Sequence, residues 1–158
     1  MLTALRVAGL TVLTQERDHD EPPSAGIGDC YAVRGTRKEV NVGPADCAAD
    51  NATYRTAVVT GSPQWSLDPG ACPDGAYRAV REGTGDTQCL MFHVRVGDCL
   101  NRVSNQIGTR HDLGKGRCGP ESESKVRSIT TGPRETCGPA ETTTFYSEPA
   151  TTICLGKP

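Results

Sequence analysis

Aromatic residues are scarce in this chain of 158 residues, which holds one Trp, four Tyr and two Phe. With so few rings it has no basic, aromatic-interleaved strip of the kind that stacks bases, and nucleic acid is not expected as a partner. Charge of one sign is also missing. The net charge is −2. Residues 28–96 carry seven Lys/Arg against eight Asp/Glu, and residues 97–158 carry eight against seven, so neither half offers a polybasic or polyacidic surface. Leu, Ile, Val and Phe together number 27, about 17% of the chain and below the roughly 20% at which disorder becomes the leading reading when net charge is high. Here the net charge is small, so a fold is expected, but with a thin core.

Long hydrophobic runs are absent too. The nearest approach is Met1 to Leu13, which is broken by Arg6 and far too short to span a bilayer. Three readings compete for this segment: a signal remnant, a short folded helix or strand, and an expression artefact. No lipid-attachment cysteine is read, since Cys30 follows Ile27-Gly28-Asp29 rather than a Leu-x-small pattern. Catalytic signatures are missing as well: no Gly-x-Ser-x-Gly, phosphate loop or His-Glu-x-x-His occurs. Only three His are present, none spaced as a ligand pair, and no Cys-x-x-Cys stands anywhere. Metal, cofactor and enzymatic activity are therefore not expected.

What is abundant is Gly (18), Pro (11) and Cys (8). A chain with little apolar residue to bury needs other constraints against its conformational entropy, and an even number of well-separated cysteines supplies them as disulfides. Such bridges persist in oxidising compartments, which places the protein outside the cytoplasm, secreted or in the cell envelope.

The cysteines also carry a pattern. Gly28-Asp29-Cys30 recurs as Gly97-Asp98-Cys99, and four cysteines follow in each half: Cys30, Cys47, Cys72, Cys89 and Cys99, Cys118, Cys137, Cys154. Their separations are 17, 25 and 17 in the first half and 19, 19 and 17 in the second. Gly35-Thr36-Arg37 matches Gly108-Thr109-Arg110, Thr60-Gly61 matches Thr131-Gly132, and Cys89-Leu90 matches Cys154-Leu155. We read a tandem repeat: an N-terminal segment and linker over 1–27, a first four-Cys module over 28–96 and a second over 97–158. The shared 17-residue spacing favours bridges between first and second and between third and fourth cysteines, with a first-to-fourth staple as the alternative.

Within each module the periodicity is that of strands. Ala57–Thr60 and Ser128–Thr131 are β-rich and end at glycine. Tyr77–Arg81 with Thr87–Leu90, and Thr142–Tyr146 with Thr151–Leu155, read as hairpins around Gly- or Pro-containing turns. The expected fold is all-β: two tandem small disulfide-stapled β modules with hairpins and little helix, apart from a turn at 44–51.

Gly-Asp-Cys, a second Cys after a valine-containing strand, Cys72-Pro73, Tyr77 and a closing Cys-Leu together resemble the C-terminal domain of LppU-type actinobacterial lipoproteins, over most of residues 28–156 and in two copies. The second copy departs from that pattern at Cys137-Gly138-Pro139 and lacks the Tyr. The resemblance implies an exported domain of the cell envelope and no particular chemistry.

Candidate functional residues are few. The first module has six additional residues around Pro63, Gln64, Trp65, Leu67, Asp68 and Pro69. This stiff loop carries the one Trp, either presented for binding or folded back into the core. Asp29 and Asp98 read either as ligand-contacting carboxylates or as caps bonding a nearby backbone N–H. His93 reads as a surface or interface residue and His111 as part of a polar loop. Asp18–Glu21 reads as a charged linker, and Asn51-Ala52-Thr53 is a formal glycosylation sequon. The function expected is a non-enzymatic envelope binding module that contacts an extracellular protein or glycan through surface loops, or else a secreted inhibitor of a protease or cell-wall hydrolase.

Overall fold

A computed structural model of the chain describes residues 26–36, 39–61, 72–81, 85–103 and 113–158. Ten strands are present among them: β1 (Cys30–Thr36), β2 (Glu39–Ala45), β3 (Ala52–Thr60), β4 (Arg78–Arg81), β5 (Thr87–Phe92), β6 (Cys99–Arg102), β7 (Leu113–Gly116), β8 (Ser122–Thr131), β9 (Thr142–Ser147) and β10 (Ala150–Gly156). No helix occurs among the described residues, so none there is long and apolar enough to cross a membrane. Of the turn expected at 44–51, Pro44 and Ala45 instead end β2, and turns occupy 47–51. The fold is all-β, as the strand-like periodicity requires.

The strands form two antiparallel sheets, ordered β2-β1-β3-β5-β4 and β7-β6-β8-β10-β9. The order is the same in both, and the match extends to register. On β3, Thr53 and Ala57 are each left out of the ladder by a bulge. On β8 the residues left out at the same places are Glu123 and Arg127. Bulges bend and twist a strand, and here both sheets bend at corresponding points.

The Gly-Asp-Cys word has a local explanation. Gly28 and Gly97 adopt φ of 97° and 96°, a region that favours glycine. Their N–H groups donate to Thr56 O and Val126 O, and the Asp29 and Asp98 carbonyls accept from Thr56 N and Val126 N. Each word thus starts a strand on the central β3 or β8. Each Asp side chain also takes a backbone N–H three residues back, Gly26 N at 2.6 Å and Arg95 N at 2.8 Å. These bonds are the capping reading of the two aspartates.

All eight cysteines are paired: Cys30–Cys47, Cys72–Cys89, Cys99–Cys118 and Cys137–Cys154. First joins second and third joins fourth in each half, the arrangement favoured by the spacing. One bridge ties the start of β1 or β6 to the turn after β2 or β7. The other ties the segment before β4 or β9 to the centre of β5 or β10.

Two apolar clusters hold the sheets. One lies on the first sheet and comprises Tyr31, Tyr54 and Leu90, flanked by Val33, Val42, Val80 and Phe92, with the Tyr54 and Phe92 rings stacked at 5.1 Å. Val42 and Val80 come from the two edge strands, so the sheet curls around this cluster. The other cluster joins Leu100, Val126, Tyr146, Ile153 and Leu155 of the second sheet to Met91 of the first. Tyr77 and Ala57 of the first sheet's chain segment also pack against it. β7 lies across β1 and β3. The two halves therefore touch through core side chains.

A candidate site in the seam between the sheets

The seam is built by the short connection His93–Val96. The bulge at Thr53 frees that residue from ladder pairing. Its hydroxyl donates to Asn51 O at 3.0 Å and accepts from Lys115 N, on β7, at 3.0 Å. His93 N donates to Thr53 O at 2.8 Å. The connection thus runs beside β3 and brings the start of the second half against the Cys47 turn.

These contacts leave a cleft of about 390 Å³, within the size range of small-molecule sites. One wall is the turn after β2, with Cys47, Ala48, Ala49, Asp50 and Asn51. The floor is His93 and Arg95, and the far wall is Asp98, Cys99, Lys115, Gly116 and Arg117. Bridges fix both walls: Cys30–Cys47 holds the first and Cys99–Cys118 the second.

Several groups in the cleft are already committed. The Lys115 side chain is only 15% exposed; its Nζ donates to His93 O at 3.3 Å and lies 3.5 Å from Asp98 Oδ2. The same Asp98 oxygen takes the Arg95 N–H. His93 Nε2 lies 3.1 Å from Cys47 O, and since a carbonyl only accepts, that bond needs the proton on Nε2. Other groups are uncommitted. Arg95 and Arg117 are exposed, and neither guanidinium has a hydrogen bond or ion pair among the described residues; nor does the Asp50 carboxylate. The described lining residues hold three cations against two carboxylates, a local positive balance on a chain of net charge −2. Among the described residues no Ser, Thr or Tyr hydroxyl lines it.

On the other side of His93 lies a smaller cavity of about 230 Å³ between Met91, Phe92 and Val94 of the first half and Ile129, Thr131, Thr151 and Ile153 of the second. It is a gap in the shared packing. Cys137, Glu141 and Cys154 bring three potential metal-ligand atoms within 4.8 Å, but both sulfurs are used in their mutual disulfide. Glu141 Oε2 accepts the Gly138 N–H at 2.9 Å, so this group is a stapled turn.

Of the residues singled out from sequence, His93 and Asp98 meet in this seam. Asp29 is bonded to Gly26 N, and the eight cysteines form the bridges. Asn51 stands in the cleft wall, while the sequon's Thr53 is buried with its hydroxyl in use. The Pro63–Pro69 loop with Trp65, and His111, lie outside the described residues. Sequence reasoning did not find Lys115, Arg117 or Asp50, because no motif links them. The one available signal was the short connection between the halves, which places whatever flanks it in a seam. Comparison with protein-family models, curated proteins and solved structures yields no significant match to this chain.

Proposed function

We propose that the protein is an exported, non-enzymatic binding module of the cell envelope, and that it holds an extracellular protein or glycan in the seam cleft. The observation that carries this reading is the cleft itself: walls fixed by separate disulfides, with Arg95, Arg117 and Asp50 left without partners among the described residues. Groups held in place before binding lose little entropy when a ligand arrives. Uncommitted charged groups on stapled walls are what such a site provides. Four disulfides support an oxidising location, and the resemblance to LppU-type lipoprotein domains supports an actinobacterial envelope setting. We read the matching sheet orders and bridges as two tandem copies of one module, with the site arising where they meet.

Amide chemical-shift mapping with a panel of soluble envelope polymers tests this. Shifts should concentrate at 47–51, 93–98 and 115–117. Chemical conversion of any panel member, or inhibition of a protease or cell-wall hydrolase by the free protein, would replace the binding-module reading with another.

A further inference from the structure

Resting on that reading, we infer that the cleft's ligand is a carboxylate-bearing saccharide, its carboxylate held by Arg95 and Arg117 and its hydroxyls by Asp50 and Asn51. Two exposed guanidiniums line one small cleft, and neither is paired with a carboxylate among the described residues. A guanidinium is a planar fork matched to carboxylate or phosphate oxygens. Lys115 cannot serve in the same way, because Asp98 and the His93 carbonyl already occupy its ammonium. It fixes the far wall, and the arginines remain for the ligand.

The rest of the lining narrows the ligand further. Among the described residues its apolar part is confined to Ala48, Ala49 and the bridged cysteines Cys47 and Cys99, with no Phe, Tyr or Trp ring and no branched aliphatic side chain. Among these residues a nucleobase would find no Phe, Tyr or Trp face on which to stack, and the one imidazole, His93, is held to Cys47 O. The terminal side chain of a captured peptide would find among these residues no apolar pocket of the kind that gives specificity in such complexes. Asp50 places on the turn wall a carboxylate with no partner among the described residues. It would repel a compact polyanion but accepts hydrogen bonds from hydroxyls, and the Asn51 amide both donates and accepts. An anionic group at one end and hydroxyls at the other describe an acidic sugar better than an oligophosphate.

The test is calorimetric titration of the full chain with oligogalacturonate, with its methyl ester, which keeps the hydroxyls but removes the charge, and with inorganic triphosphate. Oligogalacturonate should bind, and more weakly as salt rises, while esterification should cost about tenfold or more, the scale of one charge-assisted hydrogen bond. Arg95→Gln and Arg117→Gln should each cost a similar factor. Arg117→Lys should recover only part of the loss, since a point charge does not replace the fork. Arg102→Gln removes the same charge outside the cleft, where Arg102 pairs with Glu123 at 2.9 Å, and should leave binding unchanged. Thermal melts that superimpose on the parent protein's confirm that each variant folds. Equal binding of the methyl ester, or tighter binding of triphosphate, would overturn the acidic saccharide while leaving the cleft a binding site. Equal loss with Arg102→Gln would reduce the effect to general charge. If no probe, charged or neutral, shifts any cleft amide, the binding-module reading falls with the proposal.

Discussion

Tyr146 is buried where the sheets meet, its oxygen accepting the Phe92 N–H at 3.2 Å and its ring edge-on to Tyr77 at 5.0 Å. Burial pushes its pKa well above the ordinary tyrosine value, and the Phe92 N–H, which favours the phenolate, does not offset it. Burial raises Tyr54 in the same direction against a partly opposing Arg78. The folded state therefore keeps protons that the unfolded chain releases above about pH 10, and stability falls with pH wherever the unfolded state binds fewer protons. The contribution is fully present below about pH 10 and is lost as pH rises beyond it. Urea midpoints should hold level up to about pH 9 and decline above about pH 10, with part of that decline absent in Tyr146→Phe. A level midpoint through about pH 11 would contradict this account. A second residue-scale contrast lies in the cores. In the first sheet the Tyr31 hydroxyl donates to buried Gln88 Oε1, and Thr56 Oγ1 donates to the same atom at 3.2 Å. The matching register places on the second sheet hold Leu100, Ile153 and Val126. One backbone thus accommodates a polar triad and an apolar one. Gln88→Leu removes the acceptor shared by two hydroxyls and should cost about 2 kcal/mol or more, since an unmet buried donor loses its solvation. Tyr31→Phe, Thr56→Val and Gln88→Leu combined should cost less than Gln88→Leu alone, as read from denaturant unfolding.

At the scale of elements, the segment before β4 leaves its own sheet. Gly75 bridges to Tyr146 on the edge strand β9; Ala76 N donates to Phe145 O at 2.8 Å and Ser147 N to Asp74 O at 3.1 Å. The Tyr77 hydroxyl then closes on the β9–β10 turn, donating to Glu148 O at 2.7 Å and accepting from Glu148 N at 2.6 Å. The edge of the second sheet is covered by a piece of the first half, which removes an exposed template for pairing. Gly75 sits at φ 144°, and a Cβ there would lie 2.7 Å from Phe145 O. Gly75→Ala should therefore detach the clasp, at a cost of about 1–3 kcal/mol, and Tyr77→Phe should weaken it by about 1 kcal/mol. Hydrogen exchange should then quicken at Ala76, Ser147 and Glu148 while β1 and β3 stay protected. This clasp also shows why some of the molecule was legible in sequence and some was not. The cysteine spacing is a local pattern within each half, so it indicated the bridges, while β-rich runs ending at Gly61 and Gly132 indicated the ends of β3 and β8 and the turn-separated runs indicated the two hairpins. The departure of the second half at Cys137-Gly138-Pro139, with no Tyr, stood in plain view without its reason. Gly75 and Tyr77 serve a neighbour, and the matching segment of the second half has no clasp partner among the described residues. A residue whose purpose lies in the other half carries no local pattern.

Across the whole molecule, the same limit explains why the cleft was hidden and the core only partly anticipated. Its residues come from the β2–β3 turn, the connection and β7, and nothing in sequence relates Asp50 to Arg117 until Thr53 has bonded Lys115. Met91 is the sharpest case. It belongs to β5 of the first sheet, opposite Arg55 in the ladder, yet it is 2% exposed and packs among Leu100, Val126, Ile153 and Leu155 of the second. With the clasp at β9 and the Thr53–Lys115 bond, it makes the halves share stability rather than possess it separately. Met91→Ala should leave a cavity costing about 2–5 kcal/mol. If the halves unfold as one cooperative unit, that loss appears equally in the slowest-exchanging amides of β3, β8 and β10, although the substitution touches only β5. The denaturation transition should stay single and move to lower urea with an unchanged slope. Confinement of the lost protection to β1, β3 and β5 would instead mean that each sheet holds its own stability. The seam cleft would then open and close with the relative position of the halves, and disulfides that fix each wall would not fix the distance between them.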